Sequence, residues 1–222
     1  QKQKLINFLE KWLQSKINTM LKSLIDLKEL KEKNSSIKAL AYQLYENNGV
    51  IKRDQVSEYL KKLDQNDRKI LRELGVKFGR YHVFLYKLIK PEAVSLRTLL
   101  WKNYHQKYFN LKPPIFGLNF LDSKDHKNQN FMLLCGFEKF DNIFVRIDIL
   151  ERLFVQIINS NTEEKKEVKM TPEMLNLLGC SKDNFKKLIK SMNYKIVEKN
   201  NDLFFKYIPK KINKKNFNKK NI

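Results

Sequence analysis

The stretch LRELGVKFGRYHVFLYKLIKPEAVSLRTLLW, residues 71–101, decides how the chain is read. It starts with helical spacing and passes Gly75 into an extended run, with Gly79 and Arg80 at a bend. It returns to helix at Pro91. Proline suits a first helical turn, where its missing N–H would have had no partner. Three of the chain's seven arginines, Arg72, Arg80 and Arg97, lie in this stretch.

Upstream, Ile37, Leu40, Ala41 and Leu44 recur at helical steps after Asn34-Ser35-Ser36, and Gly49 marks a stop. Val50 and Ile51 form a short extended piece. Asp54 is the predicted cap of a helix carrying Val56, Tyr59, Leu60 and Leu63. Asp64 caps the next, with Asp67 in its first turn and Ile70, Leu71 and Leu74 as its apolar stripe. Helix, short strand, helix, turn, helix and hairpin is the element order of a winged-helix module. We assign it to residues 35–105. Arg72, Lys77, Arg80 and His82 then gather near the third helix and the wing. His82 reads either as a contact to a ligand or as a satisfied, partly buried histidine. Trp101 reads as core.

Ahead of that module, residues 5–30 read as one helix about 39 Å long. Leu5, Phe8, Leu9, Trp12, Leu13, Ile17, Met20, Leu21, Leu24 and Leu27 form its apolar stripe. Residues 1–34 are therefore expected to brace a domain; the alternative is a coiled-coil dimer.

Past the opening stretch, 106–130 reads as a linker, from Lys112-Pro113-Pro114 and a polar segment that includes His126. Residues 131–137 and 143–146 are strand-like around a hairpin, and a helix comes next over 148–158. Residues 167–169 are extended. Thr171 and Pro172 open a helix that Gly179 closes, and Ser181 caps 182–192, whose buried stripe is Phe185, Leu188, Ile189 and Met192. Lys182, Lys186, Lys187 and Lys190 occupy its other faces. Residues 199–202 turn a final hairpin. We read 131–208 as a second winged-helix-like module. Residues 209–222 carry six lysines and no acid, which predicts a disordered basic tail. The fold class is α+β: mainly α with small β-hairpins, a long N-terminal helix and two winged-helix-like modules.

The formal net charge is +21. The functional reading is a polyanion partner, RNA or DNA. The alternative is compositional, because 38 lysines against seven arginines and many asparagines fit AT-rich coding. Arginine placement is the sharper clue, since a planar guanidinium grips phosphate in ways an ammonium does not. We expect Arg72, Lys77, Arg80, His82, Arg97, Lys182, Lys186, Lys187 and Lys190 to contact nucleic acid. Cys135 and Cys180 make neither a disulfide framework nor a zinc pattern. His105 and His126 have no metal-ligand spacing. No apolar run reaches the roughly 18 residues that span a bilayer, so no membrane partner and a cytoplasmic location are expected. The first residue is Gln1, which suggests a processed chain or a fragment. No carboxylate pair or nucleophile–base set is visible, so the isolated chain is not read as an enzyme.

The runs FLEKWL, ALAYQLYENNGVIKR, LDQNDRKILRELGVKFGRYHVFL, LIKP with LLW, VRIDILERL, and MTPEMLNLLGCSKDNF with MNYK occur in this order. Together they resemble the C-terminal region of alphaproteobacterial superfamily 2 ATP-dependent helicases, those similar to the RNA helicase of the mitochondrial degradosome. The likeness covers roughly 5–104 and 131–196. Tyr86 stands where that family carries proline, which puts the local bend in doubt. Neither a GxxxxGK[ST] loop nor a DExH-like motif occurs, so the chain lacks the means to bind ATP in the family's way. The resemblance implies an accessory region that guides nucleic acid beside a motor elsewhere in the same polypeptide, with ATP and Mg at that motor and no cofactor in this chain. A ribonuclease is a further partner to expect. Two other readings are a free-standing winged-helix DNA-binding regulator and a protein-docking module of an RNA-degrading complex.

Overall fold

The computed structural model describes residues 1–31, 34–125, 128–160, 167–199 and 202–208. The sequence-based expectations for His126, for the turn residues Asn200 and Asn201, and for the tail 209–222 lie outside the described residues.

The N-terminal helix is broken in two. α1 spans Lys2–Met20 and α2 spans Lys22–Lys28, with Leu21 between them off the helical conformation at φ −103° and ψ 15°. α2 buries Leu24 and Leu27, but α1 buries nothing. Bracing is thus confined to α2 and the last turns of α1, where Ile17 and Met20 pack on the first core. Leu5, Phe8, Leu9, Trp12 and Leu13 are exposed.

Residues 34–89 keep the expected element order. α3 (Ser35–Glu46) leads to β1 (Val50–Lys52), then α4 (Ser57–Lys62), α5 (Gln65–Glu73), β2 (Val76–Phe78) and β3 (His82–Leu85). Asn34 caps α3 through the Ser36 N–H at 2.9 Å. Asp64 and Asp67 form a reciprocal capping box on α5, which satisfies two otherwise orphaned N–H groups. Asp54 does not cap α4. It sits inside a 3-10 turn, Arg53–Val56, which fills the space between strand and helix. Core cluster residues Ile37, Leu40, Leu44, Val56, Leu60, Leu71, Val83 and Leu85 close this unit against α2. At Tyr86, where the local bend was left open, the chain forms a 3-10 turn over Tyr86–Ile89, and α6 (Pro91–Tyr104) comes after it with Pro91 in its first turn.

The stretch 106–130 contains structure of its own. β4 (Phe120–Asp122) pairs antiparallel with β6 (Ile143–Arg146), which also pairs with β5 (Phe137–Phe140). Residues 131–137, expected as a strand, are mostly helical. α7 runs over Gln129–Leu134, is capped by Asn128 through the Phe131 N–H at 2.9 Å, and stops before Gly136 at φ 86°. A short apolar run such as Phe131-Met132-Leu133-Leu134 fits strand and helix alike; the asparagine cap and the glycine stop decide it.

α8 (Ile147–Asn159) begins directly after β6 and buries Ile149, Leu150, Leu153 and Ile157. β7 (Val168–Lys169), α9 (Pro172–Leu178), α10 (Lys182–Ser191), β8 (Tyr194–Lys199) and β9 (Asp202–Tyr207) complete the chain. Gly179 closes α9 in the left-handed region at φ 65°, and Ser181 caps α10. Phe185, Leu188, Ile189 and Met192 are buried as the spacing demanded.

The class is α+β. Among the described residues there are three antiparallel sheets, ordered β1-β3-β2, β4-β6-β5 and β7-β9-β8. In each, the last strand in chain order lies in the middle. The repetition is therefore threefold in strand order, although two modules were expected. Val50, Phe84 and Ile89 of the first unit pack against Ile147 at the start of α8, with Leu133 of α7 beside them. Among the described residues no helix is long and apolar enough to cross a membrane.

Candidate nucleic-acid interface

The loop from Gly79 to Tyr81 joins β2 to β3, and α8 packs against it. Arg53 supports the loop from one side: its Nη1 donates to the Gly79 carbonyl at 2.8 Å, and its backbone N–H donates to the Tyr81 carbonyl at 2.9 Å. Glu151 of α8 supports it from the other. The carboxylate accepts from the backbone N–H groups of Arg80, of Tyr81 at 2.8 Å and of His82 at 3.1 Å. Three successive N–H groups converging on one carboxylate hold the loop tip to α8. Burial pushes the Tyr81 hydroxyl above its ordinary range.

A groove of about 720 Å³ opens between the hairpin and α8. That is within the roughly 300–1,000 Å³ of ordinary ligand clefts. Phe78, Tyr86 and Phe154 supply aromatic walls, and Lys77, Arg80 and Arg152 supply charge. Two acids also line it, but each is occupied. Glu151 holds the loop, and Asp148 takes two hydrogen bonds from Arg146, at 2.7 and 3.0 Å. Among the described residues, no carboxylate lies within ion-pair distance of Lys77, Arg80 or Arg152.

The arginines now sort into two sets. Arg53, Arg68, Arg97 and Arg146 are spent on structure, the second through the Leu60 carbonyl. Arg72, Arg80 and Arg152 are exposed; Arg80 and Arg152 line the groove, and Arg72 lies outside its lining, against Phe78. Arg72 lies over the Phe78 ring at 5.7 Å and Arg80 over the Phe154 ring at 5.5 Å, within cation–π range. Arg152, Phe154 and the backbone donors of the loop were not among the expected site residues. The signal for Arg152 was present in the scarcity of arginine; that for Phe154 was not, since one aromatic on an amphipathic helix reads as core.

Two expected contact residues lie inside the protein. Arg97 is 3% exposed. Its guanidinium donates to the carbonyls of Asn48 at 2.6 Å, Leu88 at 2.5 Å and Leu134 at 3.0 Å. It ties α6, the end of α3 and the end of α7 together, which leaves it no surface to offer a phosphate. Burial lowers its pKa to about 10, so it stays charged at neutral pH. His82 is 1% exposed, and its Nε2 is 2.8 Å from Oε2 of Glu138 on β5. The other Glu138 oxygen accepts from Lys52 at 2.8 Å. Burial excludes the ligand-contact reading, but the histidine is only half satisfied: its Nδ1 is buried without a hydrogen-bond partner, 3.9 Å from Oε1 of Glu151. Burial alone would raise the Glu138 carboxyl, but the hydrogen bonds and charges of His82 and Lys52 outweigh it and hold it below the ordinary value.

On α10, Lys182, Lys187 and Lys190 are exposed, whereas Lys186 is ion-paired with Glu198 of β8 at 2.5 Å. α10 shares a core with α8, but none of these lysines lines the groove. Burial raises both thiols, Cys135 to about 12 and Cys180 to about 11, which disfavours the thiolate form at neutral pH. Among the described residues, no three His, Cys, Asp or Glu side chains are grouped to hold a metal ion.

Comparison with protein-family models, with characterised proteins and with solved structures gives no match. Function is therefore read from the groove and from the sequence motifs.

Proposed function

We propose that this chain is a nucleic-acid-binding accessory region of an ATP-dependent RNA helicase, with winged-helix-like units as its scaffold. The observation that carries the binding reading is that Arg80 and Arg152 line one groove, with Arg72 exposed against its Phe78 wall, while the other four arginines are committed to structure. A composition effect alone gives no reason for the uncommitted arginines to share a site. The net charge of +21 adds long-range attraction for phosphates. The helicase assignment is supported by the ordered motifs from FLEKWL to MNYK. The winged-helix reading is supported by element order and by a central last strand in each sheet. DNA in place of RNA, and a ribonuclease docked nearby, belong to the same reading.

Fluorescence anisotropy with a labelled polynucleotide at several salt concentrations tests it. Binding should weaken linearly in log–log form, and charge reversal of Arg72, Arg80 or Arg152 should each reduce the slope by about one. Reversal at Lys182, Lys187 and Lys190 measures whether α10 shares the contact. Absence of binding at low salt would sink the proposal.

A further inference from the structure

The basic groove has a property that phosphate binding does not require. Its walls are aromatic, and arginines lie over two of the rings. Arg80 covers Phe154, and Arg72 with Arg68 covers Phe78, the latter at 5.5 Å. Tyr86 and Val155, both exposed, extend the apolar wall. A site that only tracked a backbone would gain nothing from rings set in a cleft. Unpaired bases do, because each has a face that stacks on an aromatic ring or on a guanidinium plane. A duplex offers its bases already stacked and hides their faces from a concave site.

From this we infer that the groove between the β2–β3 hairpin and α8 takes unpaired nucleobases of a single-stranded polynucleotide. The bases stack on the Arg80–Phe154 pair and beside the Phe78 ring, and Lys77 and Arg152 meet the adjoining phosphates. The inference rests on the nucleic-acid reading above and specifies its substrate as single-stranded. Glu151 contributes indirectly, by anchoring the loop that carries Arg80. Its carboxylate is held in place by three N–H groups.

The test uses the full chain and a 12-nucleotide RNA with one 2-aminopurine, as a single strand and as a duplex, with a DNA strand of the same sequence alongside. The single strand should bind at least tenfold tighter than the duplex, with the aminopurine fluorescence quenched on binding. Phe154→Leu and Phe78→Leu should each cost roughly tenfold in affinity and relieve the quenching, with the salt slope unchanged. Arg80→Lys covers the case in which either leucine variant fails to fold. It keeps the charge and the slope and loses the quenching, because an ammonium has no plane to stack. Comparison of the RNA and DNA strands identifies the polynucleotide, and stacking of either supports the site. Salt-dependent binding with quenching indifferent to all three substitutions, or equal affinity for the duplex, overturns the base site and leaves the nucleic-acid reading standing. No binding of any polynucleotide at low salt overturns both. Retention of a protein partner by a chain that binds no polynucleotide overturns both in favour of a docking surface.

Discussion

The Glu151 carboxylate occupies the space that a side chain on Gly79 would need. A Cβ at residue 79 would meet the carboxyl carbon and both oxygens of Glu151 well inside van der Waals contact. The two residues are far apart in sequence, yet the absence of a side chain at one lets the other collect three backbone N–H groups.

Gly79→Ala should therefore destabilise the protein by about 1–3 kcal/mol, the usual range for overpacking. The cost arises because the flexible carboxylate, which supplies the three nearest atoms, is displaced from its donors. In a Glu151→Ala background the same substitution should cost much less. A double-mutant cycle in urea measures the difference, and additive effects would contradict the coupling.

Glu138 gives the fold an acid-sensitive joint between β5 and the first unit. Its folded pKa lies below its ordinary value of 4.5. A carboxyl depressed on folding contributes its full stability above the unfolded value, about 4.3. That contribution falls away as pH drops through the folded value. Glu138→Gln should thus flatten the stability curve below about pH 4.5. Denaturation midpoints between neutral and acid pH would show it, and parallel curves for both proteins would refute it.

Arg97→Met should destabilise by about 3 kcal/mol or more, because it leaves the carbonyls of Asn48, Leu88 and Leu134 buried, and each unpaired polar group costs about 1–3 kcal/mol. Arg97→Lys should recover only part, since an ammonium cannot span three acceptors held by a planar fork. Polynucleotide affinity per folded molecule should not change in the lysine variant. A loss of affinity at unaltered stability would return Arg97 to the contact surface.

Exposed apolar residues on α1 should contribute little to the fold. Phe8→Ser, Leu9→Ser and Trp12→Ser should each alter stability by no more than about 0.5 kcal/mol. Thermal denaturation of the triple variant checks this. A large loss of stability would mean that these side chains pack in solution.

Much of the fold was legible in residue spacing. Asn34, Asp64 and Ser181 act as caps, Gly179 as a stop, and the buried stripes of α8 and α10 fall where the period puts them. Local signals suffice there because a cap or a stop depends on a few adjacent residues. In the middle sheet β6 was legible, but β4 was not. β4 is three residues long, and its partner β6 lies some twenty residues away, beyond α7. Nothing local distinguishes so short a strand from irregular backbone. At the site, Arg72, Lys77 and Arg80 lie on exposed surface as expected, whereas Arg97 and His82 do not.

By itself, then, the sequence determined the α+β class, the order of elements in the first and last units, and the basic character of the surface. Those properties depend on local period, capping and net charge. The tertiary structure decided which cations are free. Arg80 and Arg97 are alike in a linear reading, and both lie in the stretch 71–101. One ends above the Phe154 ring at a groove; the other is enclosed by three carbonyls. The difference is made by α7 and α8, which the chain supplies only later. A charged side chain keeps its charge for a partner only where folding brings no acceptor to it.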